Sequence, residues 1–284
     1  MTRPGLTRLR IANLVVRLPD DLDVSDSDRL EANLAPFAWD GDDPPDVVVR
    51  DADAFPPPAS PLTEFPVDVI RVSGMGPAEL RETRPHRVFI GRDSTTVSGR
   101  LDNTMAVVMA VHLGLAHHLP RLGGVMLHAS AVTVGNRAFV FPGRSGVGKS
   151  TAAHGFPGAK MLAEDRCVLR PADGGWQVHA VPVWAWRYGP AQRRDAWLAM
   201  LALVEKISGP SVEHLPTGTA VARLAPAVVH NHYDTDSAGR VLAVLGAIAA
   251  QVPAVELRYR VGESFADLLL ARIANAPERA EAAS

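Results

Sequence analysis

The chain has 284 residues, 47% of them hydrophobic and 21% charged, with a formal net charge of −2 at neutral pH. That length accommodates one large domain or two smaller ones, each with a real core. The near-neutral balance excludes a global positive field that would gather nucleic acid or an anionic membrane, leaving at most a local basic groove.

The first residues, MTRPGLTRLRIANLVVRLPDD, combine basic residues with a short apolar run. No small-residue cleavage site follows, so the segment reads as a first strand and not a signal peptide. Runs 8–17 and 46–50 predict strands. Between 40 and 66 lie DGDDPP and FPPPASPLTEFP, which cannot hold regular structure for long. Short strands are predicted at 67–73, 87–91 and 95–99, so residues 1–100 read as a β-rich N-terminal region. Residues 102–119 form a long apolar run with Asp102 or Asn103 as a cap, which predicts a buried helix. His117 and His118 sit near its C-terminus, where the helix dipole favours positive charge. Neither this run nor 241–255 reaches the roughly 20 apolar residues that span a bilayer. A cytoplasmic protein without membrane attachment is expected.

From 124 the pattern changes. GVMLHASAVTV (124–134) and RAFVFP (137–142) predict two strands joined by a tight Gly135-Asn136 turn. A short helix is predicted from Ser150 to about 155–158, then a strand over 159–171 with acidic residues in its middle. Cys167, the single cysteine, lies there. It excludes an internal disulfide framework, suits a reducing compartment, and reads as a small core residue. A strand at 176–184, helices at 194–206 and 239–251, a last strand at 254–261 and a terminal helix at 263–275 complete the chain, before a frayed ERAEAAS tail.

One segment carries explicit chemistry. Residues 143–151 read Gly-Arg-Ser-Gly-Val-Gly-Lys-Ser-Thr. Gly143, Gly148, Lys149 and Ser150 meet the P-loop pattern Gly-x4-Gly-Lys-Ser/Thr, with Arg144, Ser145, Gly146, Val147 and Thr151 completing the loop. Glycines permit torsions and close approach that a Cβ prevents. Successive backbone N–H groups and the helix that follows then cradle phosphate. Lys149 neutralises β- and γ-phosphate charge, and the Ser150 hydroxyl suits Mg2+. A nucleoside triphosphate is the expected ligand, with ATP and GTP not separated by the pattern.

Phosphoryl transfer also needs a carboxylate for the metal and a group to manage the nucleophile's proton. The first acidic residues after the loop are Glu164 and Asp165, in MLAEDRCVL. Two adjacent carboxylates in an apolar strand are costly without partners; Mg2+ and a substrate hydroxyl would serve, and so would an ion pair with Arg166. His128, in MLHASAV, is a second candidate, although a lone strand histidine is more often structural.

LHASAVTVGNRAFVFPGRSGVGKST followed by LAEDRCVL resembles the kinase domain of bacterial HPr kinase/phosphorylase and its relatives, whose core is akin to ATP-dependent phosphoenolpyruvate carboxykinase. The matching stretch is about 125–171. The resemblance implies an α/β fold with a P-loop kinase core over 101–284 following the β-rich region 1–100. It implies that Asp165 is the acid/base aspartate and His128 an active-site histidine. It places Lys149 on the phosphate, with Ser150, Glu164 and Asp165 toward Mg2+. Related kinases assemble as hexamers, which leaves a homo-oligomer open. The chain also departs from the family. Glu164 replaces the first aspartate of the pair, and the second family signature, which serves the phosphatase reaction, is missing after 171. Arg187, Arg193 and Arg194 are the candidates for a downstream arginine.

The expected activity is therefore Mg-ATP-dependent transfer of the γ-phosphate to a hydroxyl, a serine of a peptide or small protein, without the reverse reaction. The alternatives are a kinase of a small hydroxyl-bearing metabolite and a nucleotide-binding regulatory module with little turnover. HNHYD (230–234) reads as a solvated loop before it reads as a metal site. Trp176, Trp184, Trp186 and Tyr188 read as core and rim, with a peptide- or base-binding wall as the functional option.

Overall fold

The computed structural model describes residues 6–51, 64–67, 88–91, 96–99, 101–183, 193–205, 209–229 and 235–273. Two compact units divide them. The first holds the chain up to Leu119; the second is built from Pro120–Val181, Arg193–Val229 and the chain from Asp236 onward.

In the first unit the predicted strand 8–17 is a hairpin. Ala12 and Asn13 take left-handed angles, φ 50° and 60°, and fold β1 (Arg8–Ile11) onto β2 (Leu14–Arg17). Positive φ at two successive residues is the geometry that tight hairpins need. Helix α1 (Ser27–Leu34) then leads to β3 (Val47–Asp51), parallel to β2. β4 (Glu64–Val67), β5 (Val88–Gly91) and β6 (Thr96–Gly99) complete a six-stranded sheet in the order β1-β2-β3-β6-β5-β4. The predicted strand at 67–73 lies almost wholly outside the described residues. Helix α2 (Thr104–His118) is capped by Asn103, whose side chain accepts the Ala106 N–H at 3.0 Å. It lies so close to the sheet that a Cβ at Gly114 would stand 2.5 Å from Val47 Cγ1. Nearly the whole helix is buried, as its predominantly apolar sequence requires. His118, in its last turn, faces Asp46 at 3.9 Å.

The second unit begins with β7 (Val125–Val134) and β8 (Arg137–Pro142), a hairpin turning through Gly135 at φ 57°. Helix α3 (Lys149–His154) follows, then β9 (Lys160–Ala163), β10 (Arg166–Ala172) and β11 (Gly175–Ala180). Next come β12 (Asp195–Glu205), β13 (Ser211–His214), α4 (Thr217–Leu224), α5 (Thr235–Gln251), β14 (Ala254–Arg258) and α6 (Ala266–Ile273). Strands β7, β8, β12, β11 and β10 pair in turn, and β10 returns to β7, so five strands close on themselves. One face of this ring is small and fully buried: Leu127, Ala129, Ala131, Val140, Cys167 and Val178 are all inaccessible. Burial pushes the Cys167 thiol up to about 12. The opposite face carries Val132, Phe139 and Phe141, which pack with Ala152, Phe156 and Leu269 of the α3 and α6 segments.

The segment expected as a helix at 194–206 is strand β12. It runs parallel to β8 on one side and to β14 on the other. A central strand covered on both faces needs apolar residues at every position, so DAWLAMLALVE shows no alternation. Its Ala, Leu and Met content favours a helix locally, and tertiary pairing overrides that preference. Helix α1, strand β4 at the end of the Pro-rich stretch, strand β13 and helix α4 were not anticipated. Among the described residues no helix is long and apolar enough to cross a membrane.

Candidate functional site

Strand β8 ends at Pro142 and the chain enters the glycine-rich loop. Gly143, Gly146 and Gly148 have φ of 151°, 83° and 107°, values that side chains rarely adopt. A Cβ at Gly143 would also stand 2.9 Å from Val147 Cγ2. The Gly143 N–H donates to the His128 carbonyl at 3.0 Å, tying the start of the loop to β7. The first intrahelical bond of α3 runs from the Ala152 N–H to the Gly148 carbonyl at 2.9 Å. The N–H groups of Lys149, Ser150 and Thr151 precede it and have no intrahelical acceptor. Lys149 is only 6% exposed, and its Nζ donates across the loop to the Arg144 carbonyl at 2.9 Å. Burial lowers the pKa of this ammonium from its usual 10.5, and the charge of Asp165 acts in the opposite sense. Ser150 Oγ lies 3.3 Å from the hydroxyl of Ser130, a fully buried residue of β7.

The acidic segment is not the continuous strand expected for 159–171. It breaks at Glu164-Asp165, between β9 and β10, although both halves pair with β7. Arg166 stands opposite His128, so continuing the register places Asp165 opposite Ala129, whose N–H donates to the Asp165 carbonyl at 3.0 Å. In a regular strand Asp165 would point with Ala129 toward the inaccessible face. Instead its φ is 71° and the Arg166 N–H donates to the Glu164 carbonyl at 2.9 Å. That is a γ-turn centred on Asp165, in the rarer and strained positive-φ form. The turn carries the carboxylate to the face of β7 that bears His128. There His128 Nε2 is 2.8 Å from Asp165 Oδ1, and Arg166 Nε is 3.7 Å from Oδ2. Facing a carboxylate, the imidazole donates through Nε2. Burial lowers the Arg166 pKa, with Asp165 opposing it.

His128 and Ser130 alternate along β7 and therefore share a face. Their partners, Asp165 and Ser150, are thereby held along the same strip of that face. Lys149 is close enough for Asp165 to act on its charge. The predicted residues His128, Lys149, Ser150 and Asp165 are thus gathered, and Glu164 shares the γ-turn with Asp165. Among the described residues no group of three or more His, Cys, Asp or Glu side chains forms a ready metal cage. Arg193 and Arg194 are exposed just before β12. Arg187, Trp184, Trp186, Tyr188 and the HNHYD segment lie outside the described residues, and Trp176 is buried in β11. Two residues that touch the loop were missed. Ser130 could have been found as a lone hydroxyl two positions after His128 in an apolar strand. Tyr259, whose hydroxyl reaches the Gly148 carbonyl at 3.3 Å, leaves no local signal in the sequence.

No family model matches the sequence, and no curated protein matches it. Among solved structures, the chain is similar to the Hpr(Ser) kinase/phosphatase from Coxiella burnetii. That similarity covers 52% of this chain and 85% of the other, at 11% identity and a TM-score of 0.29. A likeness this slight carries no argument about this chain, so any functional reading stands on its own residues.

Proposed function

We propose that the second unit is a P-loop kinase core of the HPr kinase/phosphoenolpyruvate carboxykinase type, transferring the γ-phosphate of ATP to a serine hydroxyl of a peptide or small protein. The observation that carries this reading is the shared strip on β7. One strand ties the carboxylate of Asp165, through His128, and the hydroxyl of Ser150, through Ser130, beside a loop whose lysine feels the charge of Asp165.

Each group has a role its chemistry suits. The loop N–H groups and Lys149 bind the phosphates and offset charge that grows in transfer. Asp165 accepts the proton of the attacking hydroxyl as its oxygen bonds to the γ-phosphorus and the bond to the β-phosphate oxygen breaks. His128 holds the Asp165 carboxylate in place. Ser150, Glu164 and Asp165 are hard oxygen donors, which suit Mg2+, an ion bound through one or two carboxylates together with substrate phosphates. When bound, that ion supplies positive charge to the phosphates.

The test is transfer from γ-labelled ATP to an array of serine-containing peptides, with Lys149→Ala and Asp165→Asn alongside. Labelling is expected with the wild-type chain and not with either variant. Labelling that persists in both variants removes the assignment.

A further inference from the structure

Tyr259 follows β14 directly and is 2% exposed. Its ring packs on Phe265, with centroids 4.7 Å apart, and its hydroxyl donates to the Gly148 carbonyl at 3.3 Å. Burial raises the pKa of the phenol, so it stays a neutral donor. The Gly148 carbonyl has a second donor, the Ala152 N–H at 2.9 Å.

The Gly148 carbonyl and the Lys149 N–H belong to one planar trans peptide, so they point in opposite directions. Two donors hold the carbonyl on the side of α3 and the aromatic core. The Lys149 N–H is thereby turned the other way, into the loop. This orientation has to be maintained at Gly148, where φ is 107° and a glycine peptide has alternatives that other residues lack.

We propose that Tyr259 is a positioning residue for the phosphate loop: its hydroxyl locks the 148–149 peptide so that the Lys149 N–H faces the phosphate of a bound nucleotide. The proposal rests on reading the loop as a nucleotide site. Tyr259 is buried, and its hydroxyl bonds the loop backbone. It acts from the end of the last strand, so the β14-to-α6 connection becomes part of the nucleotide site although it lies more than a hundred residues downstream in sequence.

The experiment uses the full chain and Mg-ADP, with calorimetric titration and thermal denaturation run on the same samples. Tyr259→Phe keeps the ring and removes the hydroxyl. Loss of one ordinary hydrogen bond that holds the binding conformation predicts Mg-ADP binding weaker by about threefold to tenfold. Phe265→Leu disturbs the same ring packing and leaves the hydroxyl; it is expected to lower the melting temperature with affinity within about twofold of wild type. A purely structural tyrosine would move the melting temperature and not the affinity. Tyr259→Phe binding as tightly as wild type overturns the proposal, and so does an equal loss in Phe265→Leu. A wild-type chain that does not bind Mg-ADP removes the nucleotide reading itself, and the proposal with it.

Discussion

In Asp165→Asn the side chain keeps its shape, and asparagine tolerates the positive φ of 71° better than most residues. What disappears is the charge. The folded protein loses a charge-assisted bond to His128 at 2.8 Å and the attraction of Arg166 at 3.7 Å. The Asp165 side chain is 40% exposed, so solvent screening limits the stability lost to about 1 kcal/mol. Catalysis should suffer far more, because a positioned base contributes about 10²- to 10⁴-fold in rate. The gap between these two magnitudes is diagnostic. Urea denaturation should register a small change, while single-turnover transfer from labelled ATP should fall by at least about a hundredfold. The same position tests the strain. Asp165→Gly should be more stable than Asp165→Ala by about 1 kcal/mol, since only alanine meets a Cβ penalty at this φ. Transfer by Asp165→Asn at the wild-type rate refutes the base assignment. Equal stability of the glycine and alanine variants refutes the strained turn.

Lys149→Met should raise the stability of the ligand-free chain by about 1–3 kcal/mol while abolishing nucleotide binding, because a buried ammonium is replaced by an apolar side chain of similar length. The pH dependence has a definite sign. Burial holds the Lys149 pKa below 10.5 in the folded state, so the unfolded chain binds that proton more tightly. The penalty is fully present below the folded pKa and is relieved as pH rises through that value toward 10.5. Wild type should therefore gain on the variant only in that alkaline window, as measured by denaturant midpoints; a gain on acidification contradicts the account. Cys167, with its thiol pushed up to about 12, should resist thiol reagents in the native protein at pH 8, where only about one molecule in ten thousand carries the thiolate. Fast native labelling would show that the interior of the strand ring is open.

The glycine-rich loop was legible because its signal is local: the residues that shape the backbone and start the helix are consecutive. The hairpin before it was legible from Gly135-Asn136 between two apolar runs. Strand β12 was misread as a helix because a strand between two parallel neighbours loses the alternation that identifies strands. The turn at Asp165 was hidden for a different reason. Nothing in MLAEDRCVL announces a positive φ, and only the register against β7 reveals that a regular strand would have pointed the carboxylate, with Ala129, toward the inaccessible face. In the sequence His128 is a lone strand histidine and Asp165 one of two adjacent acids 37 residues further on. Their contact depends on how β10 returns to β7, which is a tertiary fact. Tyr259 was invisible because its meaning lies wholly in where β14 ends relative to the loop.

Binding of Mg-ATP, measured by calorimetric titration of the wild-type chain and of Lys149→Ala, tests the central claim most directly. Saturable binding at one site is expected in the wild type, weakened by about a hundredfold or more in the variant, which lacks the buried charge proposed to meet the phosphates. Absence of saturable binding in the wild type, or equal affinity in the variant, would contradict it.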